Sequence, residues 1–231
     1  MSMTKSKGNN SIKELFKTLL VAGSIAIFFR SIFFEPFNIP SGSMIPSLLI
    51  GDYLFVSKYS YGYSKYSFPF GIVPIKDRVL EKSPKRGDVI VFRKPGDETI
   101  DYIKRLVALP DDTVQVRNGI LYINNKKVER IKSKIGLMRN SLGDEKTFTQ
   151  YNETFDGLKY HDIIESSDQD IFDDTIEFKV PKGHFFFMGD NRDNSRDSRS
   201  PDVGFVPKKN LIGKAEIIFF SHNGSASIFE F

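Results

Sequence analysis

The run TLLVAGSIAIFF, Thr18 to Phe29, carries no charge, and it limits what the chain can fold into more than any other feature. Extended from Leu15 to Phe34 it reaches 20 residues, with only Lys17 and Arg30 charged near its ends. About 20 apolar residues cross a bilayer as a helix, and terminal cations reach the headgroups on their alkyl stems. A cleaved leader would share the basic start and apolar centre. However, the RSIFFEPFNIP that follows is bulky and offers no small-x-small cleavage site. The pattern predicts an uncleaved anchor over residues 18–34 behind a basic tail over 1–17. That tail sets Lys5, Lys7, Lys13 and Lys17 against Glu14, so it supplies most of the chain's net charge of +4. The basicity is therefore a flank rather than a nucleic-acid surface. The flank predicts a single-pass protein of the cell (inner) membrane. Its N-terminus would be cytoplasmic and residues 35–231 would form an extracytoplasmic, periplasmic domain in contact with membrane lipid.

Beyond residue 35 the character is β. DYLFVS (52–57), DVIVF (88–92), YIKRLVAL (102–109), TIEFKVP (175–181), HFFFMGD (184–190) and LIGKAEIIFF (211–220) are short apolar or alternating runs. TVQVRNGILYINNKKV (113–128) reads as a hairpin, with Asn118-Gly119 as the two positive-φ turn residues. No long amphipathic helix and no internal repeat follow the anchor. The expectation is an all-β catalytic domain with a coiled or barrel-like antiparallel sheet. Residues 58–86 read as a ribbon or loop, and the polar stretch 131–174 as an irregular inserted lobe.

One lysine breaks the pattern. In IDYIKRLVAL, Ile100, Tyr102, Leu106 and Ala108 share a face with Lys104. An ammonium buried there costs several kcal/mol and responds by losing its proton. A half-solvated face would let the amine snorkel out; a buried one would make a neutral base. A second segment, NIPSGSMIPS, brackets Ser41, Gly42 and Ser43 between Pro40 and Pro46. Such a turn can hold a hydroxyl and backbone N–H groups in one geometry, although Pro, Ser and Gly also fill ordinary loops. A serine needs a base to become a nucleophile. His161, His184 and His222 lie in the lobe, at the start of an apolar run and in the tail, so none suggests a Ser–His pair. A Ser–Lys dyad is the other route. The third segment, MGDNRDNSRDSRSPDVGFVP (188–207), reads as an interlocked polar turn. It fails the calcium-loop pattern because Arg192 and Ser195 stand where an acid or amide and a glycine are needed. With no cysteine, thiolate metal sites and cysteine nucleophiles are excluded. No cofactor and no metal is expected.

Together, PSGSMIPSLLIGD, RGDVIVF, DYIKRLVALPDDTV and GDNRDNSRDSR resemble, in order and spacing, the type I signal peptidases, membrane-bound serine proteases of the Ser–Lys dyad type. The resemblance implies removal of signal peptides from exported preproteins after an Ala-x-Ala-like site. It implies Ser43 as nucleophile, Lys104 as general base, and an oxyanion site from the Ser41 hydroxyl and the Ser43 N–H. It further implies that Ser195 orients Lys104, and that Asp197 and Arg199 form a supporting ion pair. The substrate would lie extended between Glu35, Pro36, Phe37 and Asn38 on one side and Asp101, Tyr102 and Ile103 on the other. Two other readings compete. One is a related Ser–Lys maturation protease with another substrate; a self-cleaving repressor is excluded because residues 1–17 are too short for a DNA-binding domain. The other is a membrane-tethered β domain that binds peptides without cutting them.

Overall fold

The computed structural model describes residues 7–68, 71, 73–139 and 145–222. Residues 1–6 of the basic tail, 140–144 of the lobe and 223–231 at the C-terminus lie outside the described residues. One α-helix, α1, spans Lys7–Ile32. Its segment Ser11–Ile32 has 22 residues and a mean hydropathy of 1.7, which is long and apolar enough to cross a membrane. Phe16, Leu20, Ile25 and Phe28 are exposed along it, so it is not a core helix of the domain. The helix stops two residues short of the anchor boundary read from the sequence, because Phe34 already belongs to a strand.

The strands are β1 (Phe34–Asn38), β2 (Asp52–Ser57), β3 (Val89–Arg93), β4 (Asp101–Ala108), β5 (Thr113–Arg117), β6 (Ile120–Ile123), β7 (Lys126–Lys127), β8 (Glu129–Arg139), β9 (Glu145–Thr154), β10 (Tyr160–Glu165), β11 (Phe178–Lys179), β12 (His184–Met188), β13 (Val206–Pro207) and β14 (Leu211–Ser221). The all-β expectation holds. Seven strands form the main antiparallel sheet in the order β1-β2-β14-β3-β4-β12-β13. In a flat sheet β1 and β4, four spacings apart, would be separated by about 19 Å. Instead Ser43, five residues past β1, touches Lys104 on β4, so the sheet curls. Register shifts along β14 at Leu211/Gly213, Ala215/Ile217 and Ile218/Phe220 accompany the curl, as bulges do. At Gly213 a Cβ would lie 2.4 Å from Ser57 O, so only glycine lets β14 approach β2 there.

The curl encloses Met44, Leu48, Leu54, Val89, Val91 and Ile212, all essentially inaccessible to solvent. Phe37 of β1 and Ile103 of β4 both pack on this cluster. Ile90 and Phe92 alternate with Val89 and Val91 and face a second cluster with Leu106 and Phe187. Strand β3 is therefore buried on both faces, which is why VIVF reads as an unbroken apolar run. A four-stranded sheet, β11-β5-β6-β7, packs Val114, Val116 and Leu121 against Ala108 and Phe186. Asn118 and Gly119 turn its hairpin with φ of 47° and 71°.

The polar stretch 131–174 differs from its reading as irregular. Much of it is the three-stranded antiparallel sheet β10-β9-β8. Ile131, Ile135 and Leu137 do alternate along β8, but all three are exposed, so the pattern marks no core face. The run 175–181 is also less of a strand than expected: Phe178 and Lys179 pair in register with Val114 and Thr113, while Thr175 and Val180 add separate backbone hydrogen bonds to Val116, Asp111 and Asp112.

Where α1 meets the sheet, aromatic rings form a ladder. Phe29 lies 5.3 Å from Phe33 and 6.3 Å from Phe34, Phe34 lies 6.2 Å from Phe55, and Phe55 stacks on Phe219 at 4.2 Å. Phe33, Ile217, Phe219 and Phe220 are exposed on this side.

Candidate active site

A 3-10 turn, Gly42–Met44, follows β1 and presents Ser43, while β4 presents Lys104. Lys104 Nζ lies 2.7 Å from Ser43 Oγ and 2.8 Å from Ile103 O, and it sits 5.2 Å from the Tyr102 ring centroid. Lys104 is 4% exposed, so the snorkelling reading is excluded. Burial pushes its pKa down to about 8, against the opposing pull of the Asp197 and Asp190 carboxylates. Ser41 Oγ is 3.5 Å from Ser43 Oγ, on the same turn.

The polar segment after β12 encloses this pair. Asn191 N donates to Ser43 O at 3.1 Å and Asn191 Nδ2 to Gly42 O at 3.0 Å. Gly189 packs so closely that an added Cβ would stand 2.4 Å from Ser43 O and 2.2 Å from Ser195 Oγ. Ser195 is thereby placed beside the Ser43 turn. Among the described residues its buried Oγ makes no hydrogen bond to Lys104, and it helps hold the Asp197 carboxylate in its charged form. Asp197 and Arg199 form a two-pronged ion pair, each N–O distance 2.9 Å, and Gly189 N donates to Asp197 at 3.0 Å. Burial alone would raise the Asp197 carboxyl, but Arg199 brings it below its ordinary value.

Behind Lys104, Arg105 makes a buried pair with Asp190, at 2.8 and 2.6 Å, and also reaches Gly87 O. The inserted lobe joins the same frame. Arg192 pairs with Glu153 of β9, His161 of β10 lies 3.2 Å from Glu153, and Asp193 accepts from Ser166 N and Ser167 N. His184 contacts Lys182 O, and His222 lies against Tyr53 and Phe220, so both rest on structural neighbours. Among the described residues no group of three or more His, Asp or Glu gathers as a metal-ion cluster.

The two proposed substrate edges are both open among the described residues. β1 pairs with β2 on one side and ends the sheet on the other. β4 pairs with β3 from Asp101 to Arg105, but with β12 only from Arg105 onward, which leaves Asp101 to Lys104 without a strand partner on that side. Pro36 and Asn38 are exposed, and Phe37 and Ile103 are half-buried. Glu35 departs from this arrangement. Its carboxylate turns to Arg30 and to Lys58, whose Nζ is 2.6 Å away. Burial lowers the Lys58 pKa while Glu35 opposes it. Sequence reasoning missed Lys58, Gly189, Asp190 and Asn191 because each acts through a contact distant along the chain. For the last three the signal was the density of polar residues in GDNRDNS.

Residues 12–220 match the family model "Signal peptidase, peptidase S26". The signal peptidase I of Rickettsia typhi is 41% identical over 227 residues, covering 96% of this chain and 85% of that protein. The signal peptidase I of Rickettsia conorii is 41% identical over 230 residues, covering 94% and 83%. A crystal structure of a signal peptidase I from Enterococcus faecalis is 27% identical, covering 58% of this chain and 97% of that one, with a TM-score of 0.33. With its family model matched from α1 into β14, this chain belongs to the signal peptidase family, peptidase S26, and is a serine endopeptidase.

Proposed function

We propose that the chain removes signal peptides from exported preproteins after Ala-x-Ala-like sites, with Ser43 as nucleophile and Lys104 as general base. The observation that carries this is the buried amine, 2.7 Å from a serine hydroxyl, with its pKa lowered to about 8. A domain that only bound peptides would gain nothing from that desolvation cost. Neutral Lys104 takes the Ser43 proton as Oγ attacks the scissile carbonyl, then returns it to the leaving amine. Ser41 Oγ and the Ser43 N–H face the developing oxyanion, each donor worth roughly 3 kcal/mol in such sites. Lys104 then deprotonates the water that releases the acyl group. Ser195 borders the dyad, and Asp197–Arg199 with Asn191 holds its frame.

The substrate enters as an extended strand between residues 35–38 and 101–103 and is recognised first through its backbone. Glu35 contributes main-chain groups only, because its carboxylate is engaged with Arg30 and Lys58. Small subsites over Phe37 and Ile103 select small side chains before the cut. The basic tail stays in the cytoplasm, α1 spans the inner membrane, and residues 35–231 lie outside with the aromatic ladder against the lipid. Signal peptides lie in the same membrane, so the site meets them at its surface.

The test is to mix the detergent-solubilised protein with a preprotein carrying an Ala-x-Ala site, beside a Ser43→Ala control, and to read the products by mass spectrometry. The expected result is a single cut after the second alanine that vanishes in the control. A cut elsewhere would indicate a maturation protease of other specificity. No cut by folded protein would leave the tethered binding domain.

A further inference from the structure

α1 ends at Ile32 and β1 begins at Phe34, so the membrane helix runs into the substrate edge with a single residue between them. A simple tether would be joined through a flexible linker. This junction is instead bonded on several sides. Tyr63 Oη donates to Ile32 O and Lys58 N donates to Phe33 O, both at 3.0 Å. Arg30, in the last turn of α1, binds Glu35 Oε1 through Nε at 2.9 Å and also through Nη2. The other Glu35 oxygen accepts from Lys58 Nζ at 2.6 Å, and Lys58 Nζ donates to Ser67 O at 2.8 Å. The charges thus run from the helix, through the first residues of β1, to the 65–67 turn. The Lys58 and Glu35 side chains are 3% and 11% exposed, whereas Arg30 is 57% exposed.

Topology does not account for Arg30, because a cation at the domain end of the span works against the charge asymmetry that orients it. Nor does simple solvation, because its guanidinium turns back onto a mostly buried carboxylate. Phe37 of β1 and Ile103 of β4 pack on one core cluster, so the two substrate edges face each other beside this charge group, and the Asp101 carboxylate feels the charge of Glu35. We infer that Arg30 is a positioning residue for proteolysis: through Glu35 it fixes the β1 edge at the spacing from Asp101–Ile103 that a substrate strand requires. The anchor is then part of the binding device as well as a tether. This rests on the reading that the substrate adds to β1.

The experiment uses the full-length protein in detergent micelles and a short soluble peptide that spans only the cleavage site, with no apolar segment to enter the membrane. Arg30→Ala and Arg30→Gln are each expected to raise the peptide KM about fivefold with kcat unchanged, since pairs of this kind are worth at most about that factor. Arg30→Lys should recover most of the loss. Thermal unfolding of all three should match the wild type. An unchanged peptide KM in Arg30→Ala and Arg30→Gln overturns the inference, even if preprotein cleavage suffers, because Arg30 would then act only on the membrane. A loss confined to kcat also overturns it. A second peptide, N-methylated on the backbone before the cut, separates this failure from failure of the underlying reading. If the wild type cleaves it as readily as the parent, strand addition itself is wrong. If N-methylation weakens binding while the Arg30 variants bind normally, only the coupling falls.

Discussion

Replacing Lys104 with methionine is expected to stabilise the fold while removing catalysis. The amine is buried, and its pKa falls from the ordinary 10.5 to about 8. Between those values the unfolded chain binds more protons than the folded one, so wild-type stability rises with pH across roughly 8 to 10.5. Below pH 8 the full cost of holding the charge in the fold applies, about 3 kcal/mol. Methionine removes that cost and forfeits the contacts to Ser43 Oγ and Ile103 O, worth about 1 kcal/mol each. The net gain is about 1 kcal/mol at pH 7, fading toward pH 10. Turnover should fall by about 10²–10⁴-fold, the usual contribution of a general base. Lys104→Arg should be equally inactive without the gain in stability, because arginine keeps its charge. Denaturant unfolding and peptide cleavage of the three proteins measure both effects. A Met variant that still turns over, or that is less stable at pH 7, contradicts the account of Lys104.

Gly189→Ala should be nearly as damaging, although residue 189 contributes no side chain to the chemistry. Its Cβ would stand 2.4 Å from Ser43 O and 2.2 Å from Ser195 Oγ. Ser43 O is fixed by Asn191 N, so the nucleophile turn cannot yield without losing its own support. Overpacking of this kind costs about 1–3 kcal/mol. A displacement near 1 Å at a reacting group costs about 10²-fold in rate. Gly189→Ala/Ser195→Gly relieves only the Ser195 contact, so it should restore little activity. Full recovery in the double variant would show that the Ser43 carbonyl does not set the constraint.

Much of this fold was legible locally. The apolar helix α1 showed as an uncharged run, β2 and β3 as apolar or alternating runs, and the β5–β6 turn as Asn118-Gly119. Each of these signals lies within a few residues, where hydrophobic period and turn chemistry act. Lys104 stood out for the same reason, as a charge on an apolar face. The lobe was not legible, because the alternating apolar residues of β8 are exposed and several buried positions of β9 and β10 are polar, Gln150, Glu153, Thr154 and Glu165 among them, so no periodic apolar face shows. Strand β1 was obscured by Pro36, which sits in a strand only because β1 lies at the sheet edge. The meeting of Ser43 with Lys104 could not be read from pattern at all. It depends on the curl of the sheet, and the family resemblance alone brought those two residues together in advance. The Arg30–Glu35–Lys58 chain and the packing of Gly189 on Ser43 likewise exist only once distant segments meet.

The most direct test of the central claim is the pH dependence of kcat/KM for peptide cleavage by the full-length protein in detergent. With neutral Lys104 as base, the rate should rise through a single apparent pKa near 8 and stay high on the alkaline side, and His161→Gln should leave that rise in place. A profile that rises near the histidine range of about 6.5, or one that shows no dependence from pH 6 to 10, would contradict the Ser43–Lys104 assignment.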